Sequence, residues 1–151
     1  MNTTPDPRNL VPLIIADIYQ LAGAFRDHGE NIARGIGQSQ ARWQVLSAAS
    51  AEPKTVPQIA RRLGVTRQAV QRLANELVSD QLAHFETNPD HQASPHLVLS
   101  ESGVNALAQL SKAGRVFHTR VAATLSATEM ARLHQGLRRL VAAVDQVTSD
   151  K

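Results

Sequence analysis

Apolar residues recur at intervals of three and four along most of this 151-residue chain, and each apolar stretch begins near a residue that can cap a helix. This spacing places the apolar side chains on one face of an α-helix. Trp, Tyr and Phe together supply only 3% of the residues, so the chain has little of the aromatic material that is enriched in strands. The sequence therefore predicts a mainly α-helical fold.

Two long helices are predicted at the ends of the chain. The first is predicted to begin at a cap on Asn9 and to end at Gly35 and Gly37, and the last to begin at Ser126, which has capping-box spacing with Glu129. Apolar stripes run along both helices and comprise Leu10, Ile14, Ile18, Leu133, Leu137, Leu140 and Val144. Such stripes are too large to remain as monomer surface, so we expect the terminal helices to pack against a second chain.

Two short helices separated by Leu63-Gly64-Val65 form the most specific local pattern. Thr55 and Gln58 have capping-box spacing at the start of the first helix, and Thr66 is a cap candidate for the second. The inner arc of the second helix comprises Val70, Leu73, Ala74 and Leu77. Its outer arc comprises Gln68, Gln71, Arg72, Asn75 and Ser79. This arrangement is typical of a helix-turn-helix motif.

Positive charge is concentrated on the same segment. The chain has a net charge of +3, yet Lys54 to Asn75 holds one lysine, four arginines and no acid. A basic segment in an otherwise slightly acidic chain favours contact with a polyanion, because guanidinium groups contact phosphates and base edges bidentately. The alternative is a solvated helix face, in which Arg61 and Arg62 form salt bridges with Glu76 or Asp80.

The apolar period changes to two residues after Leu82. His84 to Thr87 alternates, Asn88-Pro89-Asp90 marks a turn, and Leu97-Val98-Leu99 is a second short apolar run. The pattern predicts a β-hairpin, followed by a helix that Ser100 caps. A further helix is predicted from near Ser39 to Ser50.

Several classes of protein are disfavoured. The absence of cysteine excludes disulfides and thiolate metal sites, and the histidines have no ligand spacing, so no metal or other cofactor is expected. No nucleophile with its base, carboxylate pair or phosphate-binding glycine loop stands at recognisable spacing, so we do not expect an enzyme. No apolar run approaches the roughly 20 residues of a membrane span, and Met1 to Arg8 lacks the order of a secretory signal. We expect a soluble cytoplasmic protein.

In this order, the elements resemble the MarR family of bacterial transcription regulators over nearly the whole chain. The matching stretches are Gln44-Val45-Leu46, Ile59 to Val65, Val70-Gln71-Arg72-Leu73, Asn88-Pro89-Asp90, Leu97 to Gly103 and Leu125 to Glu129. The resemblance implies one unit over residues 1–151 with a winged helix-turn-helix fold. Residues 39–100 would form the DNA-binding lobe with its small β-hairpin wing, and residues 9–34 and 101–148 the long N-terminal and C-terminal dimerisation helices.

The resemblance also implies a function. It implies a homodimer that binds double-stranded DNA and a small aromatic or anionic effector. A twofold dimer presents two readers, so we expect the operator to be an inverted repeat. We expect repression rather than activation, because a dimer that covers one operator most simply excludes polymerase. Arg72 could pair with guanine, and Gln68 or Gln71 with adenine. The DNA-binding candidates are Ser39, Thr66, Arg67, Gln68, Gln71, Arg72, Asn75, His91 and Gln92, with Lys54, Arg61 and Arg62 as further phosphate contacts. The effector candidates are Tyr19, Phe25, Trp43 and Phe117, of which Trp43 has core packing as its alternative.

The chain departs from the family pattern at two places. His91-Gln92-Ala93-Ser94 follows Asp90, so the predicted wing tip has no arginine. Gln81 stands where the family commonly has glycine, so either its backbone is left-handed or the preceding helix ends differently. The bare wing tip keeps open a second function, that of a winged-helix protein–protein module that has lost DNA binding.

Overall fold

The computed structural model describes residues 6–149, which are mainly helical as predicted. The helices are α1 (Pro7–Arg34), α2 (Gln40–Ser50), α3 (Val56–Leu63), α4 (Arg67–Ser79), α5 (Glu101–Ala122) and α6 (Ala127–Ser149). The strands are β1 (Lys54–Thr55), β2 (Ala83–Glu86) and β3 (His96–Leu99). The chain divides into two compact units, Met1–Ala113 and Gly114–Lys151. The predicted unit over residues 1–151 extends beyond the described residues at both ends.

The core of the first unit lies between α2, α3, α4 and the sheet. Its fully buried side chains include Leu46 from α2, Ile59 from α3, Leu77 from α4 and Leu97 from β3. The predicted inner arc of α4 is confirmed, because all four of its residues are buried. Burial of this arc fixes which side of α4 faces outward.

Most of the predicted caps are confirmed. Thr55 and Gln58 form the reciprocal capping box of α3, Gly64 ends that helix in the left-handed conformation at φ +66°, and Thr66 caps α4. The Ser126 and Glu129 side chains bond to each other's backbone N–H groups at the start of α6.

The predicted cap at Asn9 is wrong. The N-cap of α1 is Asp6, whose carboxylate accepts the N–H of Arg8 at 2.9 Å. The helix therefore begins with Pro7, whose missing N–H is harmless at a first helical position. Asn9 lies in the first turn of the helix.

The wing is the β2–β3 hairpin of a three-stranded antiparallel sheet of order β1-β3-β2, in which Phe85 pairs with Leu97. The predicted hairpin is confirmed, although β2 ends at Glu86 and β1 adds a short third strand that sequence reasoning missed. Asn88 organises the loop at the wing tip. It is buried, its Nδ2 donates to the carbonyl of Ser94 at 3.0 Å, and its Oδ1 accepts the N–H of Asp90 at 3.0 Å.

The segment between α4 and β2 meets the start of α5 at close range. Gln81 has a left-handed backbone, with φ at +60°, which is the first of the two alternatives that the sequence left open. Its carbonyl accepts the hydroxyl of Ser100 at 2.7 Å, and the same Oγ accepts the N–H of Gly103 at 3.0 Å, which confirms Ser100 as the cap. A Cβ at Gly103 would lie 1.9 Å from the carbonyl oxygen of Leu82. The backbone of α5 therefore approaches this segment where only glycine fits.

The terminal helices expose much of their apolar surface. α6 has no buried residue. Leu133, Leu137 and Val144 are exposed on α6, as are Ile14 and Ile18 on α1, whereas Leu140 is half-buried. Within residues 6–149, none of these helices combines the length and apolar character needed to cross a membrane.

Candidate nucleic-acid interface

The outer arc of α4 is the main polar surface that the sequence predicted. Its candidate residues are all exposed, namely Thr66, Arg67, Gln68, Gln71, Arg72 and Asn75. Thr66 Oγ1 accepts the N–H of Ala69 at 3.1 Å, so the start of α4 is fixed by its cap. A helix N-terminus carries partial positive charge, and here it lies beside the guanidinium of Arg67. The combination suits an anionic ligand.

Two side-chain pairs organise this arc along the helix. Gln71 Nε2 donates to Asn75 Oδ1 at 2.9 Å. One residue further on, Arg72 Nη1 donates to Glu76 Oε1 in a salt bridge. Asn75 and Glu76 thus each hold a neighbour four residues before them. Sequence reasoning missed the partner of Arg72, although the four-residue spacing was the signal that could have found it.

The acids near the basic segment form salt bridges with arginines other than Arg61 and Arg62. Glu76 pairs with Arg72, and Asp80 pairs with Arg42 of α2 at 2.7 Å. The interpretation that these acids bind Arg61 and Arg62 is therefore wrong, because other guanidinium groups already occupy them. Lys54 is also paired, with Glu52 at 3.1 Å.

Three arginines of the basic segment have charges that are available to an anionic ligand. Among residues 6–149, no ion pair involves Arg61, Arg62 or Arg67, and all three are exposed. Arg61 and Arg62 lie in the last turn of α3, and Arg67 begins α4. The positive field of the helix-turn-helix therefore comes mainly from these three side chains.

A groove of about 360 Å³ lies between the first half of α4 and the base of the wing. Arg67, Gln68 and Gln71 line it from α4, and Ala93, Ser94 and Pro95 line it from the wing loop. Val56, Pro57 and Phe85 complete its lining. The groove brings three of the predicted DNA-binding residues against the wing, whereas His91 and Gln92 are exposed in the wing loop and do not line it.

The wing itself carries negative formal charge. Residues 83–99 contain Glu86 and Asp90 but no lysine or arginine. His84 Nε2 lies 2.8 Å from Glu86 Oε1, so part of the histidine's polar edge faces a carboxylate. The acids of the wing therefore give it little attraction for phosphate.

The remaining candidates occupy separate places. Ser39 is half-buried and its Oγ caps α2 by accepting the N–H of Arg42 at 3.2 Å.

The aromatic effector candidates lie apart from the groove. Trp43 is 9% exposed and belongs to the core, in agreement with core packing, its alternative interpretation. Tyr19 is 77% exposed and Phe25 about half exposed on α1. Phe117, in the second unit, packs its ring 6.0 Å from that of His118, measured between centroids. None of these aromatic residues lines the groove.

Comparison with known proteins places the interface in a family. A sequence model of the MarR family matches residues 36–93. The uncharacterized protein Rv2011c of Mycobacterium tuberculosis strain H37Rv is 45% identical over 131 residues, which cover 87% of this chain and 92% of that protein.

Solved structures share the fold. A MarR/EmrR family transcriptional regulator from Acinetobacter sp. ADP1 superposes with a TM-score of 0.78 and 20% identity, over 91% of this chain and 98% of that one. CouR from Rhodococcus jostii RHA1, solved with bound p-coumaroyl-CoA, superposes with a TM-score of 0.73 and 16% identity, over 82% of this chain and 88% of that one.

The matched residues span the elements that carry the interface. Residues 36–93 include α2, α3, α4 and the first wing strand, and the structural matches extend the likeness over most of the chain. These neighbours are transcription regulators rather than enzymes, in agreement with the sequence-based expectation. The chain belongs to the MarR family of winged-helix transcription regulators.

Proposed function

We propose that this protein is a homodimer that binds double-stranded DNA in a sequence-specific manner and represses transcription. The observation that carries the proposal is the division of α4 into a buried apolar arc and an outer arc that is polar, exposed and basic. A helix of this kind fits the major groove of B-DNA, where base edges present distinct patterns of donors and acceptors.

The residues of the interface divide between base edges and phosphates. Arg72 is proposed to pair with guanine, and Gln68 or Gln71 with adenine. Arg67 and the capped start of α4 are proposed to hold phosphates, supported by Arg61 and Arg62, which are exposed and have no carboxylate partner among the described residues. Phosphate contacts set the affinity, while the outer arc sets the sequence preference.

Dimerisation is supported by the terminal helices. A 23-residue helix without a fully buried residue gains little from its own chain, and exposed apolar side chains line both α1 and α6, as at surfaces that bind another protein. A twofold dimer presents two copies of α4, so the operator is proposed to be an inverted repeat. Light scattering is expected to give twice the chain mass, and Leu137→Asp, which puts a charge into the α6 stripe, to shift the protein toward monomer.

Repression and release complete the proposal. A dimer that covers an operator excludes RNA polymerase from an overlapping promoter. CouR, which shares the fold, was solved with p-coumaroyl-CoA. By analogy of fold, a small anionic or aromatic molecule is proposed to release this protein from its operator.

The test is a titration of the dimer against duplex DNA at several salt concentrations. A DNA-binding regulator loses affinity with a log–log slope of about −0.9 for each phosphate that it neutralises. Arg67→Ala is expected to weaken binding to all sequences, whereas Arg72→Ala also relaxes base preference. Absence of salt-dependent binding would favour the second function, a winged-helix module for protein partners, for which the arginine-free wing is the supporting observation.

A further inference from the structure

Glu76 places a negative charge beside the proposed base-reading surface. It is the only acid between Lys54 and Ser79, and its Oε1 accepts a hydrogen bond from Arg72 Nη1. The side chains of Arg72 and Glu76 are 67% and 39% exposed, so the pair stands at the surface. A carboxylate here repels phosphate and lowers the affinity for any duplex.

Helix stability does not account for this acid. A pair with the cation first and the acid four residues later is the less favourable order on a helix. Glu76 also lies in the last turn of α4, near the end of the helix that carries partial negative charge. The Glu76 carboxylate therefore weakens binding to DNA and adds little to the stability of α4. We look for its role in its effect on Arg72.

The geometry leaves the reading edge of Arg72 free. With Nη1 donating to Glu76, the Nε and Nη2 donors remain for the O6 and N7 acceptors of a guanine. Gln71 is held in the same way by Asn75, through one Nε2 hydrogen. Its other Nε2 hydrogen and its Oε1 remain, and these are the groups that recognise adenine. Both base readers are thus restrained by the side chain one helical turn after them.

We propose that Glu76 is a positioning residue that determines specificity: it holds Arg72 in the orientation that pairs with guanine, and its charge weakens binding to duplexes without guanine at that position. The inference rests on the proposed DNA-binding function. On a matched duplex the two hydrogen bonds of Arg72 offset the repulsion from Glu76. On a mismatched duplex the repulsion between Glu76 and the phosphates remains, and no hydrogen bonds from Arg72 to a guanine offset it.

The experiment uses the full chain and DNA alone. The wild type first selects its preferred duplex from a library of random duplexes, and dissociation constants are then measured for that duplex and for a scrambled one of equal composition. Glu76→Gln is expected to bind the scrambled duplex more tightly and to lose about fivefold or more of the ratio between the two, the lower end of what one bidentate pair provides. Repeated selection with this variant is expected to show a weaker guanine preference.

Matched controls separate this role from a general effect of charge or folding. Glu52→Gln removes the same charge from another exposed acid paired with a cation, and is expected to leave the ratio unchanged. Thermal unfolding of each variant shows that it is folded. In an Arg72→Ala background, Glu76→Gln is expected to cause no further loss of the ratio, because it acts through Arg72.

Two results would overturn the inference. One is a Glu76→Gln variant that keeps the wild-type ratio and guanine preference, and the other is an additive loss in the double variant. A wild type that selects no duplex and shows no salt-dependent binding is a different result, since it removes the proposed function itself.

Discussion

The carboxylate of Glu30, near the end of α1, accepts the backbone N–H of Gln40, the first residue of α2, at 2.9 Å. Glu30 Oε1 also accepts from Arg34 Nε at 3.1 Å. One residue before Glu30, a Cβ on Gly29 would lie 2.7 Å from Gln40 Cγ. The long helix is therefore joined to the helix-turn-helix region through the start of α2.

This contact predicts a pH-dependent contribution to stability. The hydrogen bond from Gln40 holds the pKa of Glu30 below its usual value of 4.5, and Arg34 acts in the same direction. Because the folded-state pKa is lowered, the contribution is complete above the unfolded value and is lost as pH falls through the folded one. Glu30→Ala is expected to lower the urea midpoint near pH 7, and the difference from wild type to shrink as the pH falls below the usual pKa value of 4.5. Asp27→Asn, an exposed acid on the same helix, is the control, and a difference that is constant with pH would contradict the prediction.

The close approach at Gly103 predicts a costly substitution. An alanine Cβ would meet the carbonyl oxygen of Leu82 at 1.9 Å, so β2 or the start of α5 must move. Gly103→Ala is expected to destabilise the first unit by about 1–3 kcal/mol, although alanine normally favours helix. Chemical denaturation measures the loss. The neighbouring Ser102→Ala is the control, and equal stability of the two variants would show that no clash exists.

The left-handed residues at Gln81 and Gly64 predict changes of opposite sign. Gln81→Gly relieves a conformation that is unfavourable for a side chain and is expected to stabilise by up to about 1 kcal/mol. Gly64→Ala forces a side chain into φ +66° and is expected to cost about 1 kcal/mol, with no steric term because its Cβ meets nothing within 4 Å. Melting temperatures that move in the same direction for both variants would refute this explanation.

The wing predicts a gain of DNA affinity. His91 and Gln92 are exposed in a wing without lysine or arginine. If the loop reaches DNA, His91→Arg with Gln92→Arg is expected to tighten binding to operator and scrambled duplex alike. The salt dependence should steepen by about 0.9 for each new phosphate contact. Gln92→Glu is the charge-reversed control and should weaken binding, whereas indifference to all of these changes would place the loop away from the duplex.

Local signals account for the parts of the structure that the sequence predicted. The two arcs of α4 and the capping box at Thr55 each depend on residues within one or two turns of one another. Periodicity and cap chemistry are properties of such short stretches, so they are visible without tertiary information.

Contacts between separate elements account for much of what was missed. Arg42 of α2 reaches Asp80 beyond α4, across 38 positions of sequence, and so removes the partner that had been expected for Arg61 and Arg62. β1 has two residues, too few to show an alternating pattern, and exists only through its pairing with β3. The cap at Asp6 was missed because Asn9 is also a residue that caps helices well, whereas Pro7 at the first helical position places the cap at Asp6.

The exposed surface of α6 would make the stability of this protein depend on its concentration. None of the residues of α6 is fully buried within its own chain, and a helix gains most of its stability from tertiary packing, so in the proposed homodimer the second copy would supply that packing. Dilution would then act as a denaturant for this segment, and newly made chains would remain open to proteases until they meet a second copy. A cell would thereby clear unpaired subunits and keep the assembled form.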